Sequence, residues 1–200
     1  MSATEIVFDI GGVLVDWDPH LAWIEDLGSR DAVAEFIART DFMARNTRAD
    51  GGASFADLAA EIADPTDRAL FAKYVARYGR TVPEVIPGTW DLLDRLAAKG
   101  HGIHAITNWS AETWPEGVRA HPRLGEVFDT LIVSGVERLL KPGPEIFALF
   151  CHRAGVAARA CLFIDNTYEN VAGARAAGMD AVHFTTPEAL EADLVAQGLL

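Results

Sequence analysis

The chain has 200 residues, half of them hydrophobic and 23% charged, a composition typical of a soluble globular protein with one core domain and room for a small insert. Its 29 acidic and 17 basic residues leave a net charge of -12, which argues against a nucleic-acid or anionic membrane partner. No apolar run approaches the roughly 20 residues of a membrane span, and Cys151 and Cys161 lack metal-ligand spacing, so we expect a cytoplasmic protein with reduced thiols.

The first predicted strand, at 5–10, delivers one carboxylate, Asp9, to a turn that contains Gly11 and Gly12. Burying a carboxylate is unfavourable unless a partner compensates its charge or the reaction uses it. The two glycines let the backbone fold around the carboxylate and let a ligand approach closely. The turn therefore indicates a nucleophilic or metal-bound Asp9.

The segment at 16–86 contains no convincing strand. Its periodicity predicts helices at 20–27, 31–39, 55–63 and 65–78, with a polar, Gly-rich loop at 46–54. We expect this segment to form a cap over the carboxyl edge of a sheet, where open α/β folds bind ligands. The predicted domains are a core, formed by 1–15 together with 87–200, and a helical cap at 16–86.

The rest of the chain alternates apolar runs with helical patterns. Strands are predicted at 103–107, 130–134, 160–165 and 181–184, and continuous apolarity is typical of strands buried on both faces. Helices are predicted at 89–99, 144–154 and 169–177, each followed by a glycine, with a short amphipathic helix in 187–200. This alternation predicts an α/β fold with a doubly wound parallel sheet.

Chemically capable side chains follow these strands at one sheet edge. Asp9 can attack phosphorus, and Thr107 with the backbone around Asn108 can hold phosphate oxygens. Lys141 can neutralise developing charge. Asp9 and Asp165 can together hold Mg²⁺, which prefers one or two carboxylates, waters and substrate oxygens. The set is coherent for phosphoryl transfer.

Four segments in this order resemble the haloacid dehalogenase-like hydrolase superfamily, and most closely its small-cap phosphatases, which include sugar phosphatases acting on glucose 1-phosphate. They are FDIGGVL at 8–14, ITN at 106–108, KPGPEIF at 141–147, and FIDN at 163–166 followed by NV at 170–171. The resemblance covers the whole chain and implies a Rossmann-like core with a small helical cap inserted after the first strand. It implies Mg²⁺-dependent hydrolysis of a small phosphate monoester, with sugar phosphates among the candidates.

The resemblance also implies individual roles. Asp9 would form an aspartyl-phosphate intermediate, and Lys141 would bridge Asp9 and the phosphate. Thr107 and the backbone of Asn108 would bind the transferring phosphoryl group. The implied partner is a small phosphorylated metabolite, and we expect a monomer or a weak homodimer.

The implied magnesium ligands are Asp9, the backbone carbonyl of Gly11, and Asp165, directly or through water. Two positions depart from the family pattern. Many relatives carry an aspartate in place of Gly11, as general acid and base, and losing such a group costs roughly 10²–10⁴ in rate. The proton donor would then be a cap residue, the substrate or water. Asn166 stands where aspartate is common, which removes one charge from the metal site.

The segment at 46–52 is the expected specificity element. Its polar side chains, including Asn46, could reach a sugar-like leaving group, and Arg48 could bind a second anionic group.

Two other functions stay open. A 2-haloacid dehalogenase would use the same Asp9 nucleophile and release halide without added metal. That branch usually carries an aromatic-Gly-Thr run where this chain has Gly11-Gly12-Val13. A non-catalytic phosphate-binding protein of the same fold would bind phosphate and Mg²⁺ without turnover.

Overall fold

The computed structural model describes residues 3–200 and contains one five-stranded sheet in the order β3-β2-β1-β4-β5. The strands are β1 Glu5–Phe8, β2 Gly102–Thr107, β3 Thr130–Val133, β4 Cys161–Asp165 and β5 Asp180–His183. All neighbouring strands pair in parallel. The prediction of an α/β fold with a doubly wound parallel sheet is therefore confirmed.

The central strand β1 shows why the sheet is covered on both faces. Ile6, Val7 and Phe8 are fully buried, and Phe8 pairs with Ala105 on one side and Ile164 on the other. Side chains alternate across a strand, so Ile6 and Phe8 enter one hydrophobic core and Val7 enters a second. The strand stops at Phe8, two residues earlier than predicted, and Asp9 therefore leaves the sheet at its carboxyl edge.

Helices occupy most of the remaining chain. In the order of the sequence they are α1 Ile24–Leu27, α2 Arg30–Arg39, α3 Phe42–Asp50, α4 Phe55–Ala60, α5 Pro65–Phe71, α6 Tyr74–Thr81, α7 Pro87–Ala98, α8 Trp114–Ala120, α9 Ser134–Glu137, α10 Pro144–Ala154, α11 Tyr168–Ala176 and α12 Pro187–Ala196, with short 3₁₀ helices at Pro19–Ala22, Pro122–Gly125 and Ala158–Ala160. None of the helices within residues 3–200 is long and apolar enough to cross a membrane.

The segment at 16–86, all of which the structure describes, is helical and contains no strand. Its two ends lie side by side, because the Asp16 N–H donates to the Glu84 carbonyl at 2.9 Å and the Ile86 N–H donates to the Leu14 carbonyl at 2.8 Å. The chain therefore leaves the sheet directly after β1 and returns to the same place. The division into a core and a cap stays a prediction.

Within this segment the predicted loop at 46–54 was wrong in its first half. Helix α3 runs through it to Asp50, and the chain turns only at Gly51. Phe42 and Ala49, seven residues apart on one helix face, are both fully buried. This anchoring outweighs the weak helix propensity of the polar residues between them. The helix predicted at 65–78 is two helices, α5 and α6, with a break at residues 72–73.

Candidate active site

A cavity of about 630 Å³ lies at the carboxyl edge of the sheet, between that edge and the segment at 16–86. Asp9 after β1, Asn108 after β2, Asn166 after β4 and Lys141 before α10 line it from the sheet side. The other wall includes Asn46, Asp50 and Tyr78. Parallel strands end at the same edge, which is why residues distant in sequence converge here.

The two carboxylate oxygens of Asp9 have different surroundings. Oδ1 accepts hydrogen bonds from the Ile10 N–H at 2.7 Å and from the Lys141 ammonium at 2.9 Å. No side-chain hydrogen bond in the described part of the chain occupies Oδ2. Burial raises the pKa of Asp9 to about 6, Lys141 opposes this shift and the charge of Asp165 adds to it. Asp9 therefore offers one held and one free oxygen to the cavity, the arrangement a nucleophilic carboxylate requires.

Lys141 is buried between two carboxylates. Its Nζ lies 2.9 Å from Asp9 Oδ1 and 2.7 Å from Asp165 Oδ2. Burial alone would lower the pKa of the ammonium, but the charges of Asp9 and Asp165 outweigh it and raise that pKa. Lys141 therefore stays charged across the physiological range and neutralises part of the negative charge beside Asp9.

Asp165 stabilises the position of Lys141 from beneath the cavity surface. It is fully buried, does not line the cavity, and uses both oxygens within the protein. Oδ1 accepts the Thr167 N–H at 2.7 Å, Oδ2 accepts the Lys141 ammonium, and the Asn170 amide lies 3.2 and 3.1 Å from the two oxygens. The structure thus gives Asp165 a task that the sequence did not suggest, which is to orient Lys141 and the start of α11.

The Asn108 side chain holds the backbone of Lys141 in place. Its side-chain amide donates to the Lys141 carbonyl at 3.0 Å and its amide oxygen accepts the Lys141 N–H at 2.9 Å. Asn108 lines the cavity, whereas Thr107 is buried as the last residue of β2 and does not line it. The structure therefore brings Asn108 to the site and leaves Thr107 beneath its surface.

The glycine turn after Asp9 has a steric reason. Gly12 has φ +73°, and a Cβ there would lie 2.2 Å from the amide nitrogen of Asn166. A side chain at Gly12 would therefore clash with Asn166. Gly11 also lines the cavity, but a Cβ there would meet no atom within 4 Å. Gly11 therefore leaves open space at the position where the family resemblance implied a carboxylate.

Two residues of the segment at 16–86, Asn46 and Arg48, were expected to contact substrate, and the structure places them differently. Asn46 lines the cavity and donates to Asp50 Oδ2 at 3.0 Å. Arg48 does not line the cavity, because its guanidinium is exposed and makes two 2.7 Å hydrogen bonds to Glu61. The structure therefore does not bring Arg48 to the site.

The sequence alone assigned no chemistry to Asp50. The cavity-lining carboxyl of Asp50 forms no salt bridge within the described residues. Its pKa is raised to about 7, chiefly by burial and also by the charge of Asp9. A backbone hydrogen bond from Ser110 and the charge of Lys141 act in the opposite direction. In a helix, the four-residue spacing from Asn46 to Asp50 places both side chains on one face. Because this segment was predicted to be a loop, the spacing did not indicate that Asp50 lies beside Asn46.

Aromatic side chains form part of the wall. Trp17, Trp109 and Tyr78 line the cavity, and the ring centroids of Tyr78 and Trp109 are 5.3 Å apart. Trp114 packs edge-on against Trp109, with the centroids 5.2 Å apart, and does not line the cavity. Trp17 and Trp109 therefore contribute to the cavity wall, and Trp114 packs against Trp109 outside it. No sequence pattern distinguished the three.

The donors in the cavity fit a hard divalent cation. Asp9 Oδ2 is free, no donor within residues 3–200 reaches the carbonyl of Gly11, and the Asn166 amide lines the same cavity. No cluster of three or more His, Cys, Asp or Glu residues that could hold a metal occurs in the described residues. Mg²⁺ needs no such cage, since it is commonly bound by one or two carboxylates, waters and substrate phosphate.

The sequence profile of the haloacid dehalogenase-like hydrolases matches residues 6–178. The fructose-1-phosphate phosphatase YqaB of Escherichia coli K12 is 29% identical over 182 residues, covering 88% of this chain and 94% of that protein. A phosphoglycolate phosphatase of Pseudomonas putida is 27% identical over 190 residues, covering 90% of this chain and 68% of that protein.

Solved structures share the fold. The HAD family enzyme bt-2542 of Bacteroides thetaiotaomicron superposes with a TM-score of 0.72 at 18% identity, over 93% of this chain and 95% of that one. A second structure of that enzyme, solved in complex with magnesium and inorganic phosphate, has a TM-score of 0.67. The profile match extends over most of the chain, from β1 to the end of α11. The chain belongs to the haloacid dehalogenase-like hydrolase family.

Proposed function

We propose that the protein is a Mg²⁺-dependent phosphatase that hydrolyses a small phosphate monoester through an aspartyl-phosphate on Asp9. The observation that carries this proposal is the asymmetry of Asp9, whose Oδ1 is held by Lys141 and Ile10 while Oδ2 is free in the cavity. Relatives named as phosphatases for fructose 1-phosphate and for phosphoglycolate support the same reaction class.

In this proposal Asp9 Oδ2 attacks the phosphorus and displaces the alcohol, and water then attacks the phosphorus of the aspartyl-phosphate and regenerates Asp9. Lys141 offsets the negative charge gathered around the phosphoryl group. Asp165 and Asn108 hold Lys141 in place through its ammonium and its backbone. The Asn108 backbone would bind the phosphoryl oxygens, and Thr107 would support it from beneath the cavity surface.

The residues that would hold magnesium are Asp9 and the carbonyl of Gly11. Asn166 lines the cavity and can add a neutral oxygen, while Asp165 acts through its contacts with Lys141 and Asn170 or through water. When bound, magnesium supplies positive charge to the phosphoryl group and to the carboxylate that attacks it.

We propose a substrate whose leaving group is neutral and hydroxylated, such as a sugar. Lys141 is the only cation among the described residues that line the cavity, and it is already paired with two carboxylates. Asp16, Asp50 and Glu169 add acidic groups to the lining. A second anionic group on the substrate would meet no free cation there, because Arg48 is engaged by Glu61.

The experiment is a panel of phosphate monoesters assayed for phosphate release with Mg²⁺ and again after chelation. We expect Mg²⁺-dependent release, faster with hexose phosphates than with phosphoglycolate, and no release by Asp9→Asn. A folded protein that releases phosphate from no ester would overturn the proposal. Chloride release from a 2-haloacid without metal would establish the dehalogenase alternative. Formation of a stable beryllofluoride adduct without turnover of any ester would establish the binding protein.

We further propose that residues 16–86 act as a cap on a core of 1–15 and 87–200, supported by the adjacent ends of that segment and its contribution to the cavity wall. The substrate would be a small phosphorylated metabolite, with no nucleic acid or membrane involved. The protein would work in the cytoplasm as a monomer or a weak homodimer, and its two thiols, Cys151 and Cys161, are free.

A further inference from the structure

The proposed reaction requires a proton transfer in each of its two steps, and Gly11 has no side chain that could carry it out. An alcohol leaves phosphorus readily only if its oxygen is protonated as the bond breaks, and water attacks the phosphoenzyme readily only if it loses a proton. Asp9 cannot serve, because it carries the phosphoryl group. Lys141 cannot readily serve either, because its two carboxylate neighbours keep it charged.

Asp50 is held with its side chain in the cavity. It is the last residue of α3, and its carbonyl accepts the Ser134 hydroxyl at 2.6 Å. Its carboxyl accepts the Asn46 amide at 3.0 Å, and both side chains line the cavity that contains Asp9. The backbone and the side chain of Asp50 are therefore each fixed by a separate contact. A group that transfers protons must be held in a defined geometry in this way.

The surroundings of Asp50 allow both of its protonation states near neutral pH. No salt bridge holds it ionised within the described residues, and its burial raises its pKa to about 7, the range in which general acids and bases work best. The other titratable groups that line the cavity are Asp9, Asp16, Tyr78, Lys141 and Glu169. Burial and the charge of Asp50 both raise the pKa of Tyr74, which lies outside the lining. Asp16 is exposed to solvent, unlike Asp50.

We propose that Asp50, carried by the cap, is the proton donor and acceptor that replaces the carboxyl group absent at Gly11. This inference rests on the proposed phosphatase activity. In the first step the Asp9 carboxylate bonds to phosphorus, the bond from phosphorus to the leaving oxygen breaks, and Asp50 gives its proton to that oxygen. In the second step the Asp50 carboxylate takes a proton from water as the water oxygen bonds to phosphorus and the Asp9–phosphorus bond breaks. Asp50 is again protonated and inorganic phosphate leaves.

The test is Asp50→Asn, which keeps the hydrogen-bonding shape and removes the transferable proton. Single-turnover release of the alcohol should fall about 10²–10⁴-fold for an alkyl phosphate. For p-nitrophenyl phosphate it should fall less than about tenfold, because nitrophenolate leaves without a proton. With p-nitrophenyl phosphate the variant should also show a stoichiometric burst followed by slow turnover, since the base that activates water is lost. A purely structural defect would slow both esters alike and would give no burst.

Two further variants serve as controls. Asp57→Asn removes an exposed carboxylate from α4, outside the cavity lining, and should behave as wild type with both esters. Asp16→Asn tests the other cap-side carboxyl, and selective loss of alkyl phosphate turnover in Asp16→Asn with none in Asp50→Asn would overturn the inference.

A second-site variant tests whether the function lost in Asp50→Asn is that of a carboxyl group near Asp9. Gly11→Asp places a carboxyl in open space at the turn, since a Cβ there meets no atom within 4 Å. Gly11→Asp with Asp50→Asn should recover at least tenfold of the lost alkyl phosphate turnover. Equal turnover of alkyl phosphate by wild type and Asp50→Asn would overturn the role of Asp50 and leave the phosphatase standing. Absence of turnover in the wild type would overturn both.

Discussion

Lys141 is the residue on which the charge balance of the site depends. It is a buried cation between Asp9 and Asp165, and its removal would leave two carboxylates close together without compensation. Removing one member of a buried ion pair is much more destabilising than removing one member of a surface pair, because the remaining buried charge has neither a partner nor hydration.

The first prediction is that Lys141→Met lowers the free energy of unfolding by about 3–5 kcal/mol at pH 8 and abolishes phosphatase activity. The loss of stability should shrink below pH 6, because Asp9 then takes up a proton. Urea unfolding at the two pH values measures this. Lys73→Met, which breaks an exposed 2.7 Å pair with Asp26, is the matched control and should change stability by less than about 1 kcal/mol. Equal losses in the two variants would contradict this account of Lys141.

The second prediction concerns the pH dependence of kcat/KM. Asp9 must be ionised to attack, and burial raises its pKa to about 6, so activity should fall as the pH drops below that value. Magnesium would favour the carboxylate and move this limb lower. Asp50 must be protonated to donate, and burial raises its pKa to about 7, so activity should fall again at alkaline pH. Steady-state kinetics with an alkyl phosphate should give a bell-shaped profile, and the alkaline limb should be absent in Asp50→Asn. An unchanged alkaline limb in that variant would mean that another group titrates there.

At the residue scale, the sequence identified the important residues more accurately than it assigned their individual roles. Asp9, Lys141 and Asn108 were expected at one edge, because residues that follow parallel strands converge there, and the structure brings them together. The orienting contacts of Asp165 and the pairing of Arg48 with Glu61 depend on side-chain geometry between distant elements, which residue spacing does not encode.

At the scale of elements, the amino end of α9 joins three parts of the molecule. The hydroxyl of Ser134 accepts the Trp109 N–H at 2.9 Å and donates to the Asp50 carbonyl at 2.6 Å. It thereby connects the loop after β2, the end of β3 and the end of α3. Ser134 is fully buried, so water cannot readily replace either contact.

The third prediction is that Ser134→Ala lowers the free energy of unfolding by about 1–3 kcal/mol, the usual cost of leaving a buried backbone group unpaired. Because Asp50 loses an anchor, single-turnover release of the alcohol from an alkyl phosphate should also fall more than release of nitrophenol from p-nitrophenyl phosphate. Thr47→Ala, an exposed substitution in α3, should change stability by no more than about 0.5 kcal/mol. Thermal unfolding and the two esters measure both effects. A Ser134→Ala protein as stable as Thr47→Ala would show that this contact is unimportant.

The strands were easier to predict than the helices. Each strand carries a short apolar run that no helical period explains, and each was located to within two residues at either end. Helix α3 was missed because its interior is polar and only its buried face anchors it. Helix α8 was missed because it is short and buries only Gly117, so it has no apolar period to detect.

At the scale of the whole molecule, the segment at 16–86 shares one hydrophobic cluster with the sheet. Phe8 and Ile10 from the sheet edge belong to the same buried cluster as Trp23, Phe36 and Tyr74 from the helical segment. The rings of Trp23 and Tyr74 stack with centroids 5.2 Å apart. The helical segment therefore depends on the sheet for part of its core.

The fourth prediction is that both parts unfold together. Urea unfolding should give one transition, with the same midpoint for far-UV circular dichroism, for hydrogen exchange of an α6 peptide and for hydrogen exchange of a β2 peptide, because a shared core makes separate unfolding unfavourable. A midpoint for α6 well below that for β2 would contradict this prediction and would describe an independently unfolding cap. At this scale the sequence predicted the fold class and the family, whose motifs are local, but not the shared core, which forms only when distant helices pack.

The proposed reaction depends on transfer of the phosphoryl group to Asp9, and mass spectrometry can detect that group on the protein. The protein turning over p-nitrophenyl phosphate with Mg²⁺ is quenched in acid, digested and examined by mass spectrometry for a phosphorylated peptide containing Asp9. We expect a phosphate adduct on Asp9 in the wild type, a larger amount in Asp50→Asn and none in Asp9→Asn. Turnover with the adduct on another residue, or undiminished turnover by Asp9→Asn, would contradict this expectation.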